Sequence, residues 1–178
     1  MNYNKAHNLV LTAMFASLTA IFSQICIPIG AIPINFALVS VLISGLLLGS
    51  KYGAISQAIY ILLGCIGLPV FSGFTGGIGI LLGPTGGYIL GYVLSSFISG
   101  FLIRKCESKE LIKFMCLLLS VVCCYFVGTL WFTMITNTNL YNAVLLCVVP
   151  FIPADIIKII LVVSVLRIFK AHINIKRV

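Results

Sequence analysis

Two side chains of opposite charge lie close together in the last apolar stretch of the sequence. They are Asp155 and Lys158, in the run Pro153-Ala154-Asp155-Ile156-Ile157-Lys158. A charge at the centre of a bilayer costs about 2.5–3.5 kcal/mol on insertion scales, so such residues usually serve a function. The i, i+3 spacing predicts that both lie on one helix face. They form either a structural ion pair that packs helices, or a polar site for a ligand that carries both a donor and an acceptor or anionic group.

The composition indicates that this pair lies in a membrane. The chain has 178 residues, of which 61% are hydrophobic and 8% charged, with 11 Lys or Arg, 3 Asp or Glu and a net charge of +8. A soluble domain carries about 25% charged residues, and a disordered chain has low hydrophobicity. Both classes are therefore excluded. The apolar runs are long and continuous, which disfavours the alternating strands of a membrane β-barrel.

The sequence predicts an all-α membrane protein that forms a single transmembrane domain over residues 1–178. A span needs about 20 residues, and prolines and polar connectors divide the chain into six apolar runs. Pro150 and Pro153 in the last run can bend its helix and free backbone carbonyls, which is tolerated where a helix lines a cavity. The predicted spans of this compact six-helix bundle lie near residues 8–27, 34–49, 54–68, 85–103, 114–135 and 143–169.

The basic residues predict the orientation of this bundle. Cytoplasmic loops of membrane proteins carry an excess of Lys and Arg. The connectors 28–33, 70–84 and 136–142 contain neither, so we expect them outside and both termini in the cytoplasm. Membrane lipid, and not nucleic acid, is then the expected partner of the positive charge. The cytoplasmic set is Lys5, Lys51, Arg104, Lys105, Lys109, Lys113, Arg167, Lys170, Lys176 and Arg177.

One alternative concerns the first apolar run. Lys5 followed by an apolar run and small residues also fits a signal peptide. Its removal would leave five spans in a chain whose charge pattern favours six.

The connector between the third and fourth runs is rich in glycine. Thr-Gly-Gly occurs twice, at 75–77 and 85–87, and glycine lets a ligand approach the backbone closely. The loop is apolar, so we expect it to fold back over the outer face as a lid. A tight re-entrant turn without ligand contact is the alternative. The loop contains no Gly-Lys-Ser/Thr and therefore does not match a phosphate-binding loop.

Other residue patterns predict no catalytic or metal chemistry. The seven cysteines form no Cys-x-x-Cys, and neither histidine is spaced for zinc. No zinc-protease or serine-hydrolase motif is present, so we expect no enzyme activity, no metal and no cofactor. Ala16 and Ala20, with Ala13, form a small-residue stripe that fits either internal helix packing or docking of a partner protein.

Three segments resemble the BioY family, the biotin-binding membrane subunits (S components) of energy-coupling-factor (ECF) transporters. They are Gly-Leu-Pro-Val-Phe at 67–71, Leu-Leu-Gly-Pro-Thr-Gly-Gly-Tyr-Ile-Leu-Gly-Tyr at 81–92 and Pro-Ala-Asp-Ile-Ile-Lys at 153–158. Their order and spacing match over nearly the whole chain. Ala154 is a mild departure, because the family often has Gly there.

The resemblance implies that residues 1–178 form one substrate-binding domain, a compact six-helix bundle in a bacterial plasma membrane that holds one biotin in its outward half. It also implies a transmembrane coupling subunit, which would dock at Ala16 and Ala20, and two ATP-binding subunits. Asp155 would accept from the ureido N–H groups, and Lys158 would meet the carboxylate or the ureido carbonyl. The implied biotin-binding residues are Phe71, Thr85, Tyr88, Tyr92, Asp155 and Lys158.

Two further functions remain open from the residues alone. In an ion-coupled secondary transporter of a small carboxylate-bearing solute, Asp155 would titrate and Lys158 would be its counter-ion. A membrane enzyme that uses Asp155 as acid or base is a weaker alternative, because the sequence supplies no second catalytic group near it.

Overall fold

The computed structural model describes residues 3–28, 32–105 and 110–172 as a mostly helical protein. Its elements, in order, are α1 (Tyr3–Gln24), β1 (Cys26–Ile27), β2 (Ile34–Asn35), α2 (Ala37–Cys65), α3 (Ile78–Leu82), α4 (Gly86–Lys105), α5 (Glu110–Thr136), α6 (Leu140–Cys147) and α7 (Ile152–His172). The predicted cytoplasmic residues Lys109, Lys176 and Arg177, and residues 29–31 of the first predicted outer connector, lie outside the described residues.

Helix α2 contains a reversal of the chain at Gly49. Gly49 has φ +78° and ψ 177°, outside helical geometry, and only glycine adopts a positive φ without a steric penalty. The Gln57 side-chain amide donates to the Ser44 hydroxyl over 3.0 Å. Thirteen residues of straight helix would separate them by about 20 Å, so the two halves of α2 lie antiparallel. The predicted connector at 50–53 is helical, and the turn is concentrated in one residue.

Among the residues that the structure describes, length and apolar character identify four candidate spans, or five if the bent pair α6–α7 is counted as one. The fold-back at Gly49 divides one of the four, Ala37–Cys65, into two shorter helical segments. The predicted mainly helical membrane fold is thus confirmed. Six spans and cytoplasmic termini remain predictions.

The last predicted run is broken where two prolines interrupt it. Helix α6 ends at Cys147, α7 begins at Ile152, and their axes differ by 52°. Pro150 has no N–H and its ring clashes with a preceding carbonyl, so it kinks or breaks a helix. Pro153 lies in the first turn of α7, where the absent N–H would have no partner. The predicted bend is therefore present, and it places Asp155 in the first turn of α7.

Three short elements, two strands and one helix, were not predicted. Strands β1 and β2 pair antiparallel, Cys26 opposite Asn35 and Ile27 opposite Ile34, and they tie together the ends of the first predicted outer connector. Helix α3 lies within the predicted loop 70–84. Elsewhere α1 packs on α2, and α4 packs between α2 and α5.

Candidate functional site

The site is centred on a buried ion pair in the first turns of α7. The Lys158 ammonium lies 2.6 Å from one Asp155 carboxylate oxygen, and both residues are 4% exposed. The Tyr125 hydroxyl on α5 donates to the other carboxylate oxygen. The i, i+3 contact expected from the sequence is therefore formed, and a third residue completes it.

The ion pair lines a cavity of about 230 Å³. A buried ion pair alone would fit a structural role, since removing charges from water is costly and the pair compensates itself. Here it faces open space, and each partner keeps hydrogen-bonding capacity. A carboxylate has about four lone-pair sites, and an ammonium has three donors, of which Asp155 takes one. The arrangement can therefore accept from and donate to the same ligand group.

All six ligand-binding residues predicted from the sequence line this one cavity. They come from four parts of the fold: the loop after α2, the residue before α4, α4 itself and α7. Pockets for small molecules are typically apolar with a few convergent polar groups, and this cavity has that character. The predicted residues are Phe71, Thr85, Tyr88, Tyr92, Asp155 and Lys158.

Phe71 forms an aromatic wall of the cavity. Its side chain is 1% exposed and meets the Tyr60 ring edge to face, with 5.6 Å between the ring centroids. The ring lies so close to Gly64 that any Cβ there would overlap it. The absence of a side chain at Gly64 is therefore what admits the ring to this position.

The two tyrosines of α4 present their rings to the cavity and their hydroxyls to other elements. The Tyr88 hydroxyl lies 3.1 Å from the Thr129 hydroxyl and donates to the Cys147 carbonyl over 3.4 Å. The Tyr92 hydroxyl donates to the Asn35 side-chain oxygen over 3.3 Å. Buried tyrosine hydroxyls generally find such partners. These bonds fix the rings against α5, α6 and β2.

Sequence reasoning missed the polar cavity residues Asn35, Ser72, Thr75 and Tyr125. Asn35 follows Pro33 at the start of the second predicted span, and an amide entering an apolar run is a weak sign of a site. Tyr125 lies in a long apolar run, where an aromatic residue carries no such sign. Its role depends on a contact with Asp155, 30 residues away.

A second, almost entirely apolar cavity of about 500 Å³ lies between α5 and the α6–α7 pair. It shares Val121, Tyr125 and Asp155 with the first cavity. The Tyr125–Asp155 contact therefore forms part of the wall between the cavity that contains the ion pair and an almost entirely apolar one.

Two members of the small-residue stripe on α1 face inward, whereas the third, Ala13, is exposed. Ala16 is 1% exposed and belongs to the hydrophobic core, and Ala20 is half-buried against that core. These contacts are those of internal packing, one of the two interpretations of the stripe. Docking of a partner at Ala16 and Ala20 remains a prediction.

Within residues 3–28, 32–105 and 110–172, no group of three or more His, Cys, Asp or Glu side chains is placed to hold a metal ion. The cysteines that the structure describes there are all free thiols.

Comparisons with known proteins agree with the geometry. The sequence model of the BioY family matches residues 1–175. The probable biotin transporter BioY of Pyrococcus horikoshii is 38% identical over 154 residues, covering 86% of this chain and 90% of the relative. Biotin transporter BioY2 of Lactococcus lactis is 32% identical over 162 residues, covering 91% and 89%.

A solved structure matches the fold over nearly its whole length. It is the crystal structure of the S-component for biotin from an ECF-type ABC transporter. That chain superposes with a TM-score of 0.88 at 32% identity, over 96% of this chain and 94% of the other.

Proposed function

The chain belongs to the BioY family, and we propose that it is a substrate-binding membrane subunit for biotin uptake. One observation carries the proposal. The residues implied as biotin contacts come from separate parts of the chain and line a single cavity that contains the Asp155–Lys158 pair. A transporter subunit, rather than an enzyme, also fits the S-component likeness.

The ion pair matches the ureido group of biotin. This group presents N–H donors beside a carbonyl acceptor. The 2.6 Å contact likewise places the Asp155 carboxylate directly beside the Lys158 ammonium. We propose that Asp155 accepts from a ureido N–H while Lys158 donates to the adjacent carbonyl. In the alternative, Lys158 binds the valerate carboxylate at the far end of the ligand. The adjacent side chains Asp155 and Lys158 would then have to contact opposite ends of biotin.

The apolar part of the ligand would lie against the aromatic walls. Phe71, Tyr88 and Tyr92 are each 8% exposed or less, so their rings offer buried apolar surface to the fused rings and the aliphatic chain. Thr85 borders the same space and supplies one hydroxyl. We propose no metal and no cofactor for this binding step.

We also propose six spans with both termini in the cytoplasm of a bacterial plasma membrane. Basic and acidic groups gather at the end of the bundle away from the cavity: Arg167 lies 3.7 Å from Glu110, and the Arg104 guanidinium lies beside Gly49. The cavity lies at the other end, where predicted outer connectors contribute Pro33 and Phe71. Biotin would thus be taken up from outside.

Release into the cell requires energy that no nucleotide-binding motif of this sequence supplies. We propose that a transmembrane coupling subunit and two ATP-binding subunits provide it, in keeping with the S-component likeness. In that complex, the α1 stripe at Ala16 and Ala20 would meet the coupling subunit only if α1 shifts from its inward packing.

Isothermal titration calorimetry on the purified chain in detergent tests the function. Biotin should bind at a stoichiometry of one without ATP, and Asp155→Asn should weaken binding while the fold is retained. Lys51→Gln is the matched control, because this exposed residue on α2 does not line the cavity. No binding heat with biotin at several temperatures would refute the proposal. Uptake by the chain alone in liposomes that an uncoupler abolishes would favour the ion-coupled transporter instead.

A further inference from the structure

The turn that carries Phe71 is held in place from the end of α1. Residues 71–75 form a tight hairpin in which the Phe71 N–H donates to the Thr75 carbonyl over 2.9 Å and the Thr75 N–H donates back over 3.3 Å. Phe71, Ser72 and Thr75 line the cavity. The position of this turn therefore sets one wall of the ligand site.

The Gln24 side chain uses both ends of its amide on this turn. Its oxygen accepts from the Phe74 N–H over 2.8 Å, and its nitrogen donates to the Phe71 carbonyl over 3.1 Å. The same nitrogen lies 3.0 Å from the Ser23 hydroxyl and 3.2 Å from the Ala20 carbonyl, within its own helix. Gln24 thus joins the last turn of α1 to both sides of the hairpin.

Phe74, whose N–H donates to Gln24, is in an unfavourable backbone conformation. Phe74 has φ +56°, a region that residues other than glycine, Asn and Asp rarely adopt. Its side chain is 73% exposed and gains little from packing. Such conformations persist only where surrounding contacts hold them, and the hydrogen bond to Gln24 is a contact of this kind.

A second amide holds the hairpin from another direction. The Asn35 side-chain nitrogen donates to the Ser72 hydroxyl over 2.7 Å, and its oxygen accepts from the Tyr92 hydroxyl. Asn35 lines the cavity, whereas Gln24 does not. Loss of Asn35 would therefore change the cavity directly, and loss of Gln24 would act only through the turn.

We propose that Gln24 is a positioning residue: its amide clamps the 71–75 hairpin so that Phe71 closes the cavity, and it thereby sets how slowly bound ligand leaves. The ligand identity rests on the proposed function, but the clamp itself does not. An isosteric Gln24→Met substitution removes both hydrogen bonds at nearly constant side-chain length. Ser17→Ala is the matched control, because Ser17 is an exposed α1 residue that bonds to the Ala13 carbonyl.

Hydrogen–deuterium exchange without ligand tests the clamp. In the wild-type protein the Phe74 amide should be protected despite its exposed side chain. In Gln24→Met, exchange of residues 71–77 should rise at least tenfold while α1 and α2 stay protected. Fast exchange of the wild-type Phe74 amide would overturn the proposal even if the variant fails to fold. Unchanged exchange in the variant, or a rise spread over the whole bundle, would also overturn it.

Biotin kinetics test the consequence. Gln24→Met should raise the dissociation rate constant about tenfold and change the association rate constant less than threefold, with Ser17→Ala like wild type. A mobile hairpin with an unchanged dissociation rate would overturn the positioning role. If the wild-type chain shows the expected exchange pattern but binds no biotin, the clamp is supported and the proposed function fails.

Discussion

Tyr125 on α5 donates its hydroxyl hydrogen to the Asp155 carboxylate on α7, and this contact links the ligand site to the rest of the bundle. The other Asp155 carboxylate oxygen accepts a hydrogen bond from the Lys158 ammonium. Helix α7 follows a 52° bend, so its orientation depends on contacts such as this one. The Tyr125 hydroxyl therefore orients the Asp155 carboxylate, and the contact between the two residues forms part of the wall between the two cavities.

Tyr125→Phe should weaken both the protein and its ligand site. A hydrogen bond to a charged group contributes about 1.5–3 kcal/mol. The free energy of unfolding, measured by thermal unfolding, should therefore fall by a similar amount. Biotin affinity, measured by calorimetry, should fall about tenfold, which corresponds to about 1.4 kcal/mol. Tyr141→Phe is the control, since the Tyr141 side chain is 71% exposed. Equal affinity for Tyr125→Phe and wild type would show that the hydroxyl does not orient Asp155.

Removing Lys158 alone should be more damaging than neutralising both members of the pair. Lys158→Met leaves a buried carboxylate without its counter-ion, and breaking a buried pair costs about 3–5 kcal/mol. Asp155→Asn in the Lys158→Met background removes the unpaired charge and should recover part of that loss. Thermal unfolding of the two single variants and the double variant measures the coupling. A double variant less stable than Lys158→Met would contradict the expected recovery.

The same double variant should not recover biotin binding. Once both head groups are changed, the site has lost its charged acceptor and its charged donor. We expect a stable chain with at least a hundredfold lower affinity, which corresponds to about 2.8 kcal/mol because each tenfold change is worth about 1.4 kcal/mol. Wild-type affinity in this variant would assign the pair a purely structural role, the other interpretation of the sequence.

The sequence predicted the parts of the site that local rules determine. Asp155 and Lys158 are neighbours on one helix face by spacing alone, and a short motif supplied Tyr88 and Tyr92. Asn35, Tyr125 and Gln24 could not be found in this way. Their partners lie 30 to 57 positions away, and an amide or hydroxyl in an apolar run does not reveal which distant group it will meet.

The fold shows the same division between local and long-range information. Apolar runs predicted where helices lie, and prolines predicted the bend before α7. A polar connector was expected at 50–53, but the reversal needs only Gly49 at positive φ. The reversal lies directly against α4, since a Cβ at Gly100 would overlap the Ser50 backbone nitrogen. No local sequence pattern contains that tertiary contact.

Gly64→Ala should displace Phe71 and impair ligand binding. The added methyl group would overlap the Phe71 ring, and such overpacking costs about 1–3 kcal/mol. Because the ring is a cavity wall, calorimetry should show at least a tenfold loss of biotin affinity. Gly79→Ala is the control, since a Cβ at this position in α3 meets no atom within 4 Å. Identical affinities in the two variants would show that the wall tolerates movement of Phe71.

Labelling of single cysteines should show which end of the bundle faces the outside of the cell. In a background without the native cysteines, Lys51→Cys and Thr138→Cys flank three of the proposed spans, at 54–68, 85–103 and 114–135. Basic residues stay on the cytoplasmic side, and Arg104 lies beside Gly49 at the end that carries Lys51. A membrane-impermeant maleimide should therefore label Thr138→Cys in intact cells, and Lys51→Cys only after permeabilisation. Labelling of both from outside would contradict the topology, and a Lys51→Cys that stays unlabelled after permeabilisation would place the Gly49 reversal inside the bilayer.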